Sequence, residues 1–328
     1  MAKVTGFEIA ATGSYVPEHV VANEDLAELG CDSDWIVQRT GILERRRAAE
    51  DQAASDLAYI AATECLKKAG VDAAEVDLIL VATLSPDHAT PSTACHLQRR
   101  LGCLAPAMDL NAACAGFMFA LVTGGQFVAS GTSKCCLVVG AEVMSRTVNP
   151  KDVKTYPLFG DGAGAALLRP TDKEGMGLTS YTLGSEGCGG QALCIPSGGS
   201  RLPISPETVA QGLHYMTMEG RTVFKWAVRV VADSCHDCLH DAGLTIDDID
   251  VLILHQANVR IIDSAVADIG IDRDKVVVNL DRYGNTSAAS IPLALDEAIA
   301  AGRIQRGNRV LLCGFGGGLA WGTAILQY

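Results

Sequence analysis

Runs of consecutive apolar residues recur along the chain, and longer segments with helical spacing separate them. The runs LILV (78–81), LVV (137–139), VLIL (251–254) and RVLLC (309–313) are typical of strands that are covered on both faces. Alternation of such strands with helices predicts an α/β fold with largely parallel, buried sheets.

The pattern is repeated in the two halves of the chain. Residues 65–81 align with residues 238–254 without a gap, through a helix end, an Ala-Gly helix cap, a short acidic connector and an apolar strand. Two further pairs of segments are similar: 137–142 with 309–318, and 160–168 with 321–326. Two similar halves related by a pseudo-twofold axis are therefore expected, with a junction near residues 169–178 that lies within one globule.

Composition and charge exclude several classes of protein. The 328 residues include 48% hydrophobic and 20% charged residues, as in an ordinary globular protein. The formal net charge of −12 argues against general binding to nucleic acid or to an anionic membrane. The sequence shows no signal peptide and no apolar run of about 18 residues, the length that a membrane-spanning helix needs. A cytoplasmic protein is expected.

Twelve cysteines lie scattered through apolar segments. Disulfide frameworks are typical of small secreted chains, so most of these thiols are expected to be reduced, buried and structural. The densest cluster, CHDCLH (235–240), offers metal-ligand residue types, but its spacing is helical and its side chains point in different directions. No metal site is predicted.

The segment 184–212 is rich in Gly, Ser and Pro and predicts a long loop. Loops of this kind often shape the mouth of a substrate site, and they also occur as ordinary surface excursions. Both interpretations stay open at the level of sequence.

Three reactive side chains occupy comparable places in the two halves. Cys114 lies in DLNAACAGF, where an apolar lead-in meets a predicted helix that ends near Ser130. Asn285 lies at the equivalent turn and helix start of the second half, close to the position that Cys114 holds in the first. His255 directly follows the strand 251–254, and functional groups of α/β sheets gather at the carboxyl ends of strands. We expect the three to meet in one site.

The residue types suit carbonyl chemistry. A cysteine at a helix N-terminus has its thiolate stabilised by exposed N–H groups and by the helix dipole. A neutral histidine and an asparagine can each donate a hydrogen bond to one enolate oxygen, and the glycines of GFGGG (314–318) can supply a backbone donor. Taken singly, each residue has an ordinary explanation: a buried cysteine, a core histidine and a turn asparagine. Their matched placement favours a shared catalytic role.

The chain resembles the β-ketoacyl–acyl carrier protein synthase III family of condensing enzymes, which have the thiolase fold. The resemblance covers essentially the full length, in the segments ATGSYVPE (11–18), DWIVQRTGILER (34–45), AACAGF (112–117), FGDGAGAALL (159–168), HQAN (255–258), GNTSAAS (284–290) and GFGGGLAWG (314–322). It implies a thiolase-like α/β fold with αβαβα layers, divided into residues 1–172, which hold the nucleophile, and residues 173–328, which hold its two partners.

The resemblance also implies an activity. Cys114, His255 and Asn285 match the family's catalytic triad, and the N–H groups of Cys114 and Gly317 match its oxyanion hole. The implied reaction is a decarboxylative Claisen condensation of an acyl-CoA primer with malonyl-acyl carrier protein, which initiates fatty-acid synthesis. Acyl-CoA and acyl carrier protein are the implied partners, a homodimer is the implied assembly, and no metal or cofactor is required.

Further residues match the family's substrate-binding and docking positions. The substrate-binding set is Trp35, Arg39, Thr90, Gly220, Phe224, Asn258 and Phe315. Lys225 and Arg260 match basic residues that receive the acidic carrier protein, although an ordinary solvated charge explains either residue equally well.

Two positions depart from the family pattern. Val153 stands where many members have a CoA-contacting arginine, and Lys154 is an imperfect substitute, which puts the affinity for CoA in question. Thr90 stands where short-chain members have a phenylalanine that bounds the acyl pocket across the dimer interface. The smaller side chain favours a longer or branched primer over a neutral substitution. An alternative activity is a related acyltransferase or a secondary-metabolite ketosynthase that uses such an acyl group.

Overall fold

The computed structural model describes residues 2–328. Its strands are β1 (Ala2–Thr5), β2 (Phe7–Tyr15), β3 (His19–Ala22), β4 (Glu44–Arg47), β5 (Leu78–Ala82), β6 (Ala107–Leu110), β7 (Cys136–Val143), β8 (Asp161–Pro170), β9 (Gly177–Ser185), β10 (Leu193–Cys194), β11 (Thr217–Met218), β12 (Val251–Leu254), β13 (Arg309–Gly316) and β14 (Ala320–Gln327). Its α-helices are α1 (Ser33–Thr40), α2 (Ala54–Ala69), α3 (Thr93–Leu101), α4 (Gly116–Ala129), α5 (Pro206–Ala210), α6 (Gly220–Ala242), α7 (Val259–Ile269), α8 (Leu280–Tyr283) and α9 (Ser290–Ala300). Its 3-10 helices are Asn23–Leu29, Ala73–Glu75, Ala113–Ala115, Met144–Arg146, Gly187–Ala192, Ile246–Asp248, Arg273–Lys275 and Ser287–Ala289.

Two five-stranded sheets form the framework, and they share one topology. The first has the strand order β2-β8-β7-β5-β6, and the second has the order β1-β9-β14-β13-β12. The orders match β2 with β9, β8 with β14, β7 with β13 and β5 with β12. The counterpart of β6 is the segment at Val276, which forms a parallel bridge to Leu252. The predicted duplication and the α/β fold class are confirmed.

Both sheets are mixed, so the expectation of largely parallel sheets is wrong. In the first sheet β5 runs parallel to β6 and β7, whereas β8 runs antiparallel to β7 and β2. In the second, β12 and β13 are parallel, and β13 and β14 form an antiparallel hairpin. A strand covered on both faces is apolar along its length whatever the direction of its neighbours, so the apolar runs do not reveal that direction.

Helices form three layers around the two sheets. α4 and α9 lie between the sheets, where Leu121 and Leu295 share one core with Val138 of the first sheet and Leu312 of the second. α2 and α3 pack on the outer side of the first sheet, and α6 and α7 pack on the outer side of the second. The predicted αβαβα layering is thereby confirmed.

The chain passes from the first sheet to the second in the short connection between β8 and β9. The predicted division between residues 172 and 173 falls in this connection. β1 lies outside that division, because it adds to the edge of the second sheet beside β9 although it precedes the whole first half.

Glycine allows α9 to pack directly on the first sheet. A Cβ at Gly164 of β8 would lie 2.6 Å from the backbone nitrogen of Leu293 and 2.7 Å from the carbonyl carbon of Pro292. A Cβ at Gly140 of β7 would lie 2.3 Å from the carbonyl oxygen of Ala288. Because these are backbone contacts, a change of side-chain rotamer cannot relieve them. The small residues of the two strands therefore set the distance between the halves.

We predict that Gly164→Ala destabilises the protein by about 1–3 kcal/mol, the usual cost of overpacking an interior. The added methyl group has to push α9 away from β8. Urea unfolding measures the change in free energy. Gly199→Ala is the matched control, because Gly199 is exposed and a Cβ there would meet nothing within 4 Å. Equal stabilities of the two variants would contradict the prediction.

Candidate active site

A cavity of about 880 Å³ brings together residues of both halves. Among its lining residues are those predicted for catalysis and for substrate binding, with Thr90 as the exception: Trp35, Arg39, Cys114, Gly220, Phe224, His255, Asn258, Asn285, Phe315 and Gly317. The structure thus brings together residues that are far apart in the sequence: Trp35 and Gly317 are separated by 282 positions (317 − 35).

Cys114 lies in the middle of the 3-10 helix Ala113–Ala115, which leads directly into α4. The turn into this helix is strained, because Ala113 has a φ of 46°, a left-handed value that is uncommon for a residue with a side chain. From the other half, a Cβ at Gly316 of β13 would lie 2.7 Å from Cβ of Cys114 and 3.1 Å from its Sγ. The sulfur is therefore held between its own helix start and a glycine of the second half.

Burial favours the protonated form of the Cys114 thiol. Cys114 is 5% exposed, and burial raises the pKa of its thiol to about 12. The hydroxyl of Ser287 and the backbone N–H groups of Cys114 and Gly317 oppose this shift and lower the pKa. The sequence leads us to expect a thiolate favoured by the helix start. The donors are present, but the loss of water outweighs them.

His255 follows β12. Its backbone N–H donates a hydrogen bond to the carbonyl oxygen of Cys313, with 2.8 Å between nitrogen and oxygen. Its Nδ1 lies 2.7 Å from Oγ of Ser290, which also accepts a hydrogen bond from the N–H of Gln256 at 3.4 Å. In the tautomer in which the hydroxyl of Ser290 donates to Nδ1, the imidazole proton lies on Nε2. Nε2 is left as a donor for a bound molecule.

Burial keeps His255 neutral. Its side chain is 1% exposed, and burial lowers the pKa of the imidazole to about 3. The ring of Phe315 packs edge-on against it, with the ring centroids 5.2 Å apart, and helps to exclude water. A neutral imidazole suits donation of one hydrogen bond to a carbonyl oxygen, and it does not suit a base that must hold a proton at neutral pH.

Asn285 is fixed through its backbone and through one end of its amide. Its N–H donates to the carbonyl oxygen of Leu158 at 2.8 Å, and its own carbonyl oxygen accepts from Gly160 at 3.0 Å. Its Oδ1 accepts a hydrogen bond from the N–H of Ser287 at 2.9 Å. Because this bond identifies the oxygen end of the amide, the Nδ2 group is left to donate to a ligand in the cavity.

The pseudo-symmetry relates the two helix starts with an offset. Ser287, with a φ of 50°, begins the 3-10 helix before α9, just as Ala113 begins the one before α4. Cys114 therefore corresponds to Ala288, which lies three residues beyond Asn285 (288 − 285). Asn285 thus lies close to the position equivalent to Cys114, at the paired helix start, as expected.

The mouth of the cavity holds the predicted Trp-Arg pair. The guanidinium of Arg39 lies 4.2 Å from the centroid of the Trp35 ring, and Nδ2 of Asn258 donates to the carbonyl oxygen of Arg39 at 2.8 Å. Val153 and the exposed Lys154 line the same cavity. An aromatic face with two cations beside it suits a ligand that has a planar ring and phosphate groups.

The segment 184–212 contributes a wall of the cavity. It contains β10, which pairs with β11 in a two-stranded hairpin. The side chains of this hairpin and its flanks that line the cavity are Leu193, Cys194, Ile195, Met216 and Met218. Of the two interpretations that the sequence leaves open, the structure supports a loop that shapes the site.

Thr90, Lys225 and Arg260 do not line the cavity, and all three are exposed. Lys225 on α6 follows Phe224, and Arg260 on α7 lies two residues after Asn258, so each lies next to a residue of the cavity wall. This placement is compatible with docking of a partner at the mouth, and the docking role stays a prediction.

Sequence reasoning misses the residues that position the catalytic side chains. Ser290 lies within GNTSAAS, but nothing in the sequence links it to His255. Glu142 ends the apolar run LVVGAE and is fully buried, as is Arg45. Arg45 donates to the carbonyl oxygen of Pro157 at 2.8 Å, in the segment that leads to the partners of Asn285. A charged residue at the end of a strand-like run is the one signal that could have drawn attention to Glu142.

Within residues 2–328, no group of three or more histidine, cysteine or acidic side chains is arranged to hold a metal ion. In the cluster 235–240, Cys235 and Cys238 face the core, whereas His236 and His240 face solvent. In that same part of the chain, no helix combines the length and apolarity needed to cross a bilayer.

Family models and individual relatives match the sequence of this chain. The model for 3-oxoacyl-[acyl-carrier-protein (ACP)] synthase III matches residues 108–187, and the model for the C-terminal part of that synthase matches residues 239–328. A β-ketoacyl-[acyl-carrier-protein] synthase III from Rhodopirellula baltica is 60% identical over 345 residues and covers 100% of both chains. The synthase of the same name from Symbiobacterium thermophilum is 52% identical over 99% of both chains.

Solved structures give the same result. The 3-oxoacyl-[acyl-carrier-protein] synthase III from Aquifex aeolicus VF5 matches with a TM-score of 0.90 and 40% identity, over 98% of this chain and 100% of that one. The β-ketoacyl-[acyl carrier protein] synthase III from Thermus thermophilus matches with a TM-score of 0.90 and 44% identity, over 98% and 99% of the two chains. The chain therefore belongs to the β-ketoacyl-[acyl-carrier-protein] synthase III family, a family of thiolase-fold condensing enzymes.

Proposed function

We propose that Cys114, His255 and Asn285 catalyse the condensation of an acyl-CoA primer with malonyl-acyl carrier protein, the family's reaction, which initiates fatty-acid synthesis. The main support is one cavity that holds a cysteine sulfur together with two neutral donors, Nε2 of His255 and Nδ2 of Asn285. A site of this composition can hold an acyl group and stabilise an enolate beside it.

In the first half-reaction the sulfur of Cys114 attacks the thioester carbonyl of the primer, and the acyl group moves to the sulfur as CoA leaves. The N–H groups of Cys114 and Gly317 both lower the pKa of the thiol, and from the same wall of the cavity they can stabilise the oxyanion of the tetrahedral intermediate. Apolar side chains of the cavity, among them Leu193 and Met216, offer a dry surface for the acyl chain.

In the second half-reaction the malonyl thioester loses carbon dioxide and forms an enolate. Its oxygen accepts hydrogen bonds from His255 and Asn285, and its carbon attacks the acyl group on Cys114. Both donors are neutral, so they stabilise the developing charge without transferring a proton to it. Donors of this kind contribute about 3 kcal/mol each to transition-state stabilisation. The reaction as proposed requires no metal and no cofactor besides the CoA thioester.

Charges at the mouth fit the two substrates. The Trp35–Arg39 stack suits the adenine and phosphates of CoA, and Lys154 supplies a positive charge beside Val153, the position for which the family resemblance implies an arginine. Lys225 and Arg260 add positive charge next to the mouth, where an acidic carrier protein can dock despite the negative net charge of the chain.

A homodimer completes the acyl pocket in this proposal. Thr90 does not line the cavity of its own chain, so it can bound an acyl pocket only in a second copy. β6 is an edge strand of the first sheet, and Met108 on it and Leu104 before it are exposed, which offers an apolar edge to a partner. The small side chain of Thr90 then leaves room for a longer or branched primer.

We predict that Cys114→Ala abolishes formation of the acyl-enzyme, whereas His255→Ala and Asn285→Ala retain acylation and lose condensation. The first change removes the nucleophile, and each of the others removes one enolate donor, with a loss of about 10²–10³-fold in rate. Mass spectrometry after exposure to acyl-CoA measures acylation, and carbon dioxide release from malonyl-acyl carrier protein measures the second step.

The same assay, applied to wild-type protein with primers of different length and branching, tests the reaction as a whole. Absence of carbon dioxide release with every primer would overturn the proposed function. An acyl adduct on Cys114→Ala would show that another residue is the nucleophile, and normal condensation by Asn285→Ala would remove that residue from the mechanism.

We predict that titration of His255 adds no inflection to decarboxylation by the acylated enzyme between about pH 5 and pH 8, because a group with a pKa near 3 is neutral throughout this range. Ser290→Ala lowers the rate by about fivefold, the value of one neutral hydrogen bond, and leaves the pH profile as in wild type. Single-turnover measurements with bound malonyl-acyl carrier protein check both statements. An inflection near 6.5, the ordinary pKa of histidine, that persists in Glu142→Gln would contradict the assignment of a buried neutral ring.

A further inference from the structure

The buried thiol of Cys114 needs a proton acceptor before it can attack a thioester, because the thiolate is the nucleophile. Its pKa of about 12 allows almost no thiolate at neutral pH. His255 is not that acceptor, because Nδ1 is occupied by Ser290 and burial lowers its pKa to about 3. Another group within reach of the sulfur has to take the proton.

Glu142 is a fully buried carboxyl group near the end of β7. Hydrogen bonds from protein donors compensate its charge: Oε2 accepts from Oγ1 of Thr83 at 3.2 Å and from the N–H of Ser85 at 3.1 Å, and Oε1 accepts from the N–H of Leu84 at 3.2 Å. Burial raises the pKa of this carboxyl to about 7. A group that titrates near neutrality both accepts and returns a proton readily.

Ser287 connects Glu142 to Cys114. Its hydroxyl donates to Oε1 of Glu142 at 3.0 Å, its 3-10 helix packs against the 3-10 helix that carries Cys114, and the hydroxyl lowers the pKa of the Cys114 thiol. Ser287 is 0% exposed, and its φ of 50° holds it in a conformation that a non-glycine residue rarely adopts. A hydroxyl can accept one proton while it donates its own, so Ser287 is placed to pass a proton between Cys114 and Glu142.

We propose that Ser287 and Glu142 form a proton relay for Cys114, a proposal that rests on acylation of Cys114 in the proposed function. The thiol proton passes to Oγ of Ser287 while the hydroxyl proton of Ser287 passes to Oε1 of Glu142. The resulting thiolate bonds to the acyl carbon of the primer, the bond from that carbon to the CoA sulfur breaks, and the CoA thiolate takes a proton from solvent.

The same path works in reverse during condensation. The enolate carbon bonds to the acyl carbon, and the bond from that carbon to Cys114 breaks. The proton stored on Glu142 then returns through Ser287 to the departing sulfur. Each turnover therefore leaves the thiol and the carboxylate as they began, and the proton taken from solvent balances the loss of carbon dioxide from the malonyl carboxylate.

Within residues 2–328, no charged side chain is among the groups that most shift the pKa of Glu142. β5, α4 and the 3-10 helix Ser287–Ala289 contribute no charged side chain. Asp161 on β8 accepts hydrogen bonds from Ser145, and Asp296 on α9 forms an ion pair with Lys68. Cys114 is the titratable group whose pKa responds to Glu142, which raises it.

The experiment measures the rate of Cys114 acylation by acyl-CoA as a function of pH, by rapid quench and intact mass, on the full chain. We expect the wild-type rate to rise through the pKa of Glu142, because only the ionised carboxyl can accept the proton. Glu142→Gln and Ser287→Ala should each slow acylation by at least about 100-fold, the lower end of the usual loss for a general base, and abolish this inflection.

Thr83→Val is the matched control. It is nearly isosteric and removes one hydrogen bond to Oε2, but it leaves Ser287 and Oε1 in place, so acylation should stay within about fivefold of wild type. Thermal unfolding identifies any variant that does not fold, and Ser287→Ala decides the question if Glu142→Gln fails.

Wild-type kinetics and pH profile in Ser287→Ala would overturn the relay. So would an equal loss in Thr83→Val and Ser287→Ala, since that pattern indicates a structural role for Glu142. A wild-type protein that forms no acyl adduct at all would overturn the proposed function itself, and with it the relay.

Discussion

The rest of the structure depends on two close backbone contacts between the halves: β7 against the segment at Ala288, and β13 against the segment at Ala115. A Cβ at Gly140 of the first half would lie 2.3 Å from the carbonyl oxygen of Ala288, and a Cβ at Gly314 of the second half would lie 3.2 Å from Cα of Ala115. Each half thus supplies the strand against which the helix start of the other half packs. Neither half can hold its reactive residues in place alone.

The same packing determines the charge state of the site. Burial is the largest cause of the high pKa of Cys114, the high pKa of Glu142 and the low pKa of His255. All three groups are therefore shifted toward their uncharged forms, while the cations Arg39 and Lys154 lie exposed at the mouth. Negative charge that develops during an enolate reaction then meets fixed neutral donors in a medium where hydrogen bonds are strong.

The sequence predicts the fold through its repeats, because a gap-free match over a helix end, a cap and a strand reports a duplicated unit. It also predicts the three reactive residues, because they follow strands or begin helices. Strand direction is not encoded in the apolar runs, since covered strands look alike. The partners of the reactive residues are equally hidden: Ser290 is 35 positions from His255, and Ser287 is 145 positions from Glu142. Only the packing of the two halves brings them together.

Duplication explains how one architecture gives two different helix starts. Gly140 pairs with Gly164, and Gly314 pairs with Gly322 at the equivalent place in the second sheet. Two residues farther along, Glu142 therefore corresponds to Gly316, and both lie against the helix start of the opposite half. Glycine at 316 leaves room for the sulfur of Cys114, whereas glutamate at 142 fills the equivalent space and reaches Ser287. A symmetric framework thus places an electrophile-binding pocket on one side of the axis and a buried acid on the other.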